Sequence, residues 1–483
     1  MRSGKKTTTN DCFRPGSVSV LLMGALLCLS VMGMTEAFST TSSVFGGGYR
    51  NRDAVRSSRI ASHTEGSEAD RGSSAADLSR RAALLSAARS ASAALLSLSI
   101  DPSKAFAEEG ATVTPISAAW KSVDGLYTVE EDKKNFIGFD AKAYQAMIND
   151  QTRTPMFYKA MEDRIVVGGA STVLDLGTGP FAIFAIKAAE LGATKVYAIE
   201  ANKEAAKTAR ETVAKKGYDD IITVLDGFST DIELPEKVDL VVAEIIGSIA
   251  SEEGVVATIA DAHKRFAKKP NNPASWIPSR VQTYAAPASY TLHNMFGPPG
   301  FDWNKLNGEP VRFSCRDEGL QLVSEPQVVE DISFAGILDY DGSIMSAKNK
   351  VLQFTVSGKR TQENTEKLVG ELQRNQLGRS EATRLAEETG NSVSGIAFWP
   401  RLILSEDITI NSRQYPGGGH QRSHWQTVLP IMKDRPVPVS GGDTIEVRTS
   451  FAVPSGNAGT NDVTTPASYR LEGTVTARAA TPV

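Results

Sequence analysis

Three observations predict a doubly wound α/β domain followed by an all-β, barrel-like domain, with helices ahead of both. Strands alternate with helices through the middle of the chain, a glycine-rich turn closes the first of those strands, and short alternating runs fill the remainder. Thr172 to Leu176 reads as a buried strand, followed by a tight turn and a helix from Ala182 to Glu190. Val196 to Glu200 is the second strand and Glu204 to Lys216 the second helix, while Ile221 to Leu225 and Val238 to Ala243 supply two more strands. Such alternation requires parallel pairing with right-handed crossovers, which places the α/β domain at 166–277. Ahead of it, 112–165 reads as an N-terminal helical segment. Tyr144, Met147, Ile148, Met156, Phe157 and Met161 can share an apolar face along a helical stretch from Phe139 to Asp163. From 278 to 483 the period shortens, with strands expected at Arg280–Ala285, Val351–Val356, Ile396–Leu404, Thr444–Phe451 and Tyr469–Val475. Insertions interrupt this domain at 292–308 and 361–388, and Leu368, Leu372 and Leu385 in the second predict one or two short exposed helices.

Composition bounds the function. With 483 residues, 41% hydrophobic and 22% charged, the chain is long enough for two or three cores. A formal charge of -4 gives no electrostatic footprint for nucleic acid, and five histidines and three cysteines form no cluster with metal-ligand spacing.

The first 107 residues read as addresses. Arg2, Lys5, Lys6 and Arg14 precede an apolar run from Val18 to Met34 that ends at Thr35-Glu36-Ala37-Phe38, so 1–37 is expected to be a signal peptide, too short to span a membrane convincingly. Residues 38–107 are expected to be a transit peptide. Rich in Ser, Ala and Arg, with a phenylalanine at the cleavage point, the segment resembles the bipartite leader of algae with complex plastids. Ser79-Arg80-Arg81 before the run Ala82–Ile100, closed by Ala105-Phe106-Ala107, resembles a twin-arginine signal into the thylakoid lumen. The expected location is a plastid, in stroma or lumen, with simple secretion as the alternative. Removal of the leader takes away Cys12 and Cys28, so Cys315 is left as one thiol that cannot form an internal disulfide. No stable membrane insertion is expected after that removal.

Chemistry begins at Gly177-Thr178-Gly179-Pro180-Phe181-Ala182. Gly177 and Gly179 at a strand-to-helix turn let a ligand reach backbone N–H groups, and Glu200 at the end of the next strand can accept from ribose hydroxyls. The turn also satisfies the dinucleotide fingerprint with Ala182 in its last position, so an NAD(P)-dependent oxidoreductase stays open at this point. Two glutamates nine positions apart, Glu244 and Glu253, follow the strand ending at Ala243. Paired carboxylates aimed at one pocket ask for a cation, and a planar guanidinium accepts bidentate contacts that an ammonium cannot match. The pairing points to an enzyme acting on arginine.

From Phe139 to the C-terminus these elements resemble the protein arginine N-methyltransferases, a class I S-adenosylmethionine-dependent family. The first cofactor motif is matched by Val173-Leu174-Asp175-Leu176-Gly177-Thr178-Gly179 and the double-glutamate loop by Glu244-Ile245-Ile246-Gly247 with Glu253. Ser423-His424-Trp425 is similar to the family's Thr-His-Trp loop, and Met147 to Thr154 to its cofactor-gripping helix. The resemblance implies that Arg153 holds the cofactor carboxylate and Glu200 its ribose, with Asp175, Gly177 and Gly179 in the turn and Gly227 and Ser229 beside adenine. It implies that Glu244 and Glu253 clamp a substrate guanidinium, that Asp150 orients His424, and that Met147 and Trp425 border the substrate. The implied partners are a protein substrate with an accessible arginine, such as Gly/Arg-rich sequence, and a second copy of the chain, reached through an arm at 292–308. Phe181 stands where the motif has a third glycine, and Val255 where Met147 usually has a methionine companion. A degenerate relative that binds partners without catalysis is the remaining reading.

Overall fold

The computed structural model describes residues 111–122, 126–129, 134–137, 141–306, 308–314, 319–339, 350–413, 424–453 and 467–478. The leader, Phe139 and Ser423 lie outside them. Among the described residues, no helix is long and apolar enough to cross a membrane.

The α/β domain is a parallel sheet of five strands in the order Ile222–Asp226, Lys195–Glu200, Thr172–Leu176, Leu240–Ala243, Trp276–Ile277. Thr172–Leu176 is buried along its whole length, as expected of a strand covered on both faces. Because the chain order reverses beside this strand, the loops after it and after Leu240–Ala243 leave the same edge in opposite directions and open a crevice between them. Leu176 is level with Ile199 on one side and Ala243 on the other, so Gly177, Glu200 and Glu244 all emerge at that edge. Helices Ile183–Glu190, Lys203–Lys216 and Val255–Arg265 follow the strands. Asn202 caps the second, its side chain accepting from the N–H groups of Glu204 and Ala205.

The segment 112–165 departs from the expected helices. Thr112–Lys121 is a strand, antiparallel to Ser468–Ala477 over its whole length, in a four-stranded sheet completed by Thr444–Ala452 and Lys350–Thr355. Short strands Leu126–Val129 and Lys134–Ile137 follow. Helix begins at Ala141 and runs in two pieces, Ala141–Ile148 and Arg153–Glu162, broken at Asp150.

The second sheet has seven strands and is built around Arg280–Tyr290 and Gly395–Ile403. Phe398 from this sheet meets Trp120 and Phe451 of the other at centroid separations of 6.2 and 6.0 Å, and Trp120 stacks on Tyr469. Aromatic rings thus fill the space between two antiparallel sheets, the barrel-like domain expected. In place of short exposed helices, the second insertion holds helices of 17 and 12 residues, Gly358–Arg374 and Arg379–Gly390. They bury Leu368, Leu372, Ala382, Leu385 and Ala386 in a cluster of their own.

Candidate active site

The glycine turn is shaped for close approach. Gly177 has φ +79° and Gly179 φ +63°, and a Cβ on Gly177 would lie 2.8 Å from Ile245 of the glutamate loop. Tyr144 packs over Gly179, its ring 3.3 Å from where a Cβ would sit. Phe181 causes no strain, because the remaining left-handed residue is Ala182, at φ 45°. Asp175 is buried beneath the turn, accepting from Thr178 Oγ1 at 2.6 Å and Ala185 N at 3.0 Å. Burial raises its pKa to about 6 against the pull of those donors. Asp175 therefore braces the turn. Glu200 accepts from Gly179 N and Asn202 N, both at 2.9 Å, and burial pushes its carboxyl up while those N–H groups pull it down. Gly227 donates its N–H to Glu200 O at 2.9 Å and needs its φ of +136°. Ser229 is held from behind, its carbonyl accepting from Arg265, whose guanidinium also donates to Ile232 O at 2.7 Å.

Arg153 and Glu244 form a direct ion pair, with side chains only 6% and 5% exposed. The resemblance assigns one to the cofactor and the other to the substrate; the fold puts them in contact. Arg153 also donates to Met147 O at 3.3 Å and lies over the Phe184 ring at 5.1 Å, while its Nε has no partner. Glu253 is pushed up to about 8 by burial, then by the charges of Glu244 and Glu252, with Arg312 and Arg153 opposing. The two predicted glutamates are thus near enough to feel each other. Glu252 pairs with Arg312, which also donates from a second nitrogen at 3.2 Å.

Asp150 joins three elements. Its Oδ1 accepts from Thr152 N and Arg153 N at 2.9 Å, capping the helix that carries Arg153. Its Oδ2 accepts from His424 N at 3.0 Å and lies 2.9 Å from His424 Nδ1. Burial would raise this carboxyl, but the bonds from His424 and Arg153 win and lower it to about 2. Trp425 is buried, its Nε1 donating to Ile246 O at 2.8 Å, and Gln426 N donates to Ser248 Oγ at 3.0 Å. Trp425 therefore sets the position of the glutamate loop from behind, at the seam between the domains.

A family model described as ribosomal protein L11 methyltransferase (PrmA) matches residues 151–266, the stretch that holds the turn, Glu200 and both glutamates. The chain is 33% identical over 178 residues to protein arginine N-methyltransferase PRMT10 of Arabidopsis thaliana, covering 36% of this chain and 45% of that protein. It is 26% identical over 375 residues to an arginine N(omega)-methyltransferase of Streptomyces achromogenes subsp. streptozoticus, covering 74% of this chain and 89% of the relative. The chain is thus similar in sequence to arginine methyltransferases. It spans less than half the length of the Arabidopsis methyltransferase and most of the Streptomyces one. A solved structure titled as a uniquely open conformation of Arabidopsis protein arginine methyltransferase 10 aligns at a TM-score of 0.49 and 18% identity, over 69% of this chain and 98% of that one.

The sequence does not announce the residues that fasten the glutamate loop: Arg312, Thr283 and Glu330, all in the β domain. Arg265 behind Ser229 goes unannounced as well. None carries a local motif; each acts across 33 to 79 residues of chain. In the proposed arm, Trp303 turns inward, against Phe301, His293 and Tyr290, while Phe296 and Phe301 are the more exposed rings.

Proposed function

We propose that the chain is an S-adenosylmethionine-dependent arginine N-methyltransferase. The observation that carries this reading is the carboxyl pair beside the glycine turn, in which Glu244 already holds a guanidinium, that of Arg153. The turn, Glu200 and Arg153 fit the cofactor: two glycines a Cβ would crowd, an acid for ribose hydroxyls, and a cation with an unsatisfied Nε for a carboxylate. When bound, S-adenosylmethionine supplies an electrophilic methyl on a sulfonium.

The chain's own residues do the rest. A guanidinium spreads its lone pairs into resonance and is a poor nucleophile. Glu244 and Glu253 would fix its plane, concentrate positive charge on the nitrogens they bind, and leave the remaining nitrogen aimed at the turn, a gain of orientation that can reach about 7–11 kcal/mol. Substrate binding would draw Glu253 into its ionised form, since a bound cation offsets the burial, and then the repulsion from Glu244 and Glu252, that now hold its proton. If His424 donates Nδ1–H to Asp150, its Nε2 is left basic, ready for the proton that leaves the methylated nitrogen.

The substrate is read as a protein arginine, and Gly/Arg-rich peptide is the first probe. The Streptomyces relative, named for arginine rather than for protein, favours testing the free amino acid beside it. We further propose a homodimer through the segment 292–308, and delivery to a plastid by residues 1–107, a reading supported by the leader's composition. Calorimetry against S-adenosylmethionine and against NAD(P) decides the cofactor: micromolar binding of the first alone supports the reading, and binding of the nicotinamide alone overturns it. Fusion of the first 107 residues to a fluorescent protein checks the address.

A further inference from the structure

The loop carrying Glu244 and Glu253 is fastened from the β domain at Ile246, Ser248, Ala250, Ser251 and Glu252, and one fastener is an acid without a cation. Glu330, in the strand Gln327–Ser333, is nine-tenths buried, and among the described residues no basic side chain pairs with it. The pairing of this strand with Arg280–Tyr290 slips between Val328 and Glu330, and Glu330 then stands opposite Thr283. One carboxyl oxygen accepts from Ser251 Oγ and the other from Thr283 Oγ1. The Ser251 N–H contributes as well. Thr283 Oγ1 in turn accepts from Ala250 N at 2.9 Å, and the Tyr469 hydroxyl lies 3.4 Å from Ser251 Oγ. Two consecutive loop residues, 250 and 251, are thus tied to one carboxyl, two positions before Glu253. Beside them Glu252 is held by Arg312.

A buried carboxyl with no counter-charge is a poor choice for packing alone, because an apolar side chain of similar volume avoids its desolvation. The acid is useful where several donors must be held in one place. We propose that Glu330 is a positioning residue for the guanidinium site: through Ser251 and Thr283 it fixes the backbone ahead of Glu253 and so sets where that carboxyl stands. This rests on the methyltransferase reading above.

The test uses the full chain and the variants Glu330→Gln, Thr283→Val and Thr283→Ser. Hydrogen exchange is read over residues 244–255, kcat and KM with an arginine peptide, and cofactor affinity by calorimetry. Glu330→Gln and Thr283→Val are expected to speed exchange at residues 249–253 and to lower kcat by about tenfold or more, while S-adenosylmethionine binds within about twofold of the unaltered chain. Thr283→Ser, which keeps the hydroxyl, is expected to restore both readings. Unchanged exchange in Glu330→Gln, a loss of cofactor affinity in step with kcat, or a Thr283→Ser variant as impaired as Thr283→Val would each overturn the proposal. Should the unaltered chain transfer no methyl at all, the enzymatic reading fails, and the exchange data alone decide whether Glu330 holds the loop.

Discussion

Arg153 pairs with Glu244, and under the proposed function it would also meet the cofactor's carboxylate, which sets what its loss should do. Removing one partner of a buried pair leaves an uncompensated charge, typically costing about 3–5 kcal/mol. Arg153→Ala should therefore lower both thermal stability and cofactor affinity, whereas Glu244→Gln, which leaves Arg153 unpaired, should lower thermal stability and abolish methylation but spare the cofactor; calorimetry separates them. Glu253 predicts a pH dependence. Its folded pKa, about 8, lies above the ordinary carboxyl value of 4.5, so the stability its proton provides is fully present below pH 4.5 and is lost as pH rises through about 8. Catalysis runs the other way: kcat/KM should rise with pH toward a midpoint near 8, and that limb should vanish in Glu253→Gln. Asp150 and His424 should differ as well. His424→Ala should cut turnover and spare cofactor affinity, but Asp150→Ala also uncaps the helix that begins at Arg153 and should weaken both. Equal effects on cofactor binding would show that the cap does not hold Arg153.

Elements were legible where their pattern is local. Thr172–Leu176 and Leu240–Ala243 are buried on both faces and read as short, largely apolar runs, and the glycine turn, Glu200 and Glu244 lie at the strand ends. Thr112–Lys121 was not legible. Its fully buried residues, Ile116 and Trp120, are four apart, which is a helical spacing, and its partner strand lies near the other end of the chain. The fasteners of the glutamate loop fail for the same reason: nothing near Glu330 or Arg312 in sequence announces the loop they hold. The helix Thr291–Met295 carries a prediction of its own. His293 is buried against Trp303 without a well-formed hydrogen bond, and desolvation lowers its pKa to about 4, the carbonyl groups of Lys433 and Asp434 offsetting this only in part. Its contribution to stability is present above pH 6.5 and is lost as pH falls toward 4, by about 3 kcal/mol. His293→Phe should flatten the melting temperature across that window, and an unchanged acid limb would refute the assignment.

At the scale of the molecule, the α/β domain supplies the glycine turn and both glutamates, and the β domain fastens the loop that carries the glutamates. Trp425, Gln426, Arg312, Thr283 and Glu330 all reach across the seam to one loop, so damage to the β domain should be felt as lost turnover before lost cofactor binding. The proposed function depends on the paired carboxyls being a seat for a substrate guanidinium. Mass spectrometry of an arginine peptide and of free arginine, each incubated with the chain and S-adenosylmethionine, tests this most directly. Methyl groups are expected on guanidinium nitrogen of at least one of the two, with a loss of about 100-fold or more in Glu244→Gln and in Glu253→Gln. Methylation that survives both substitutions would contradict the proposed function.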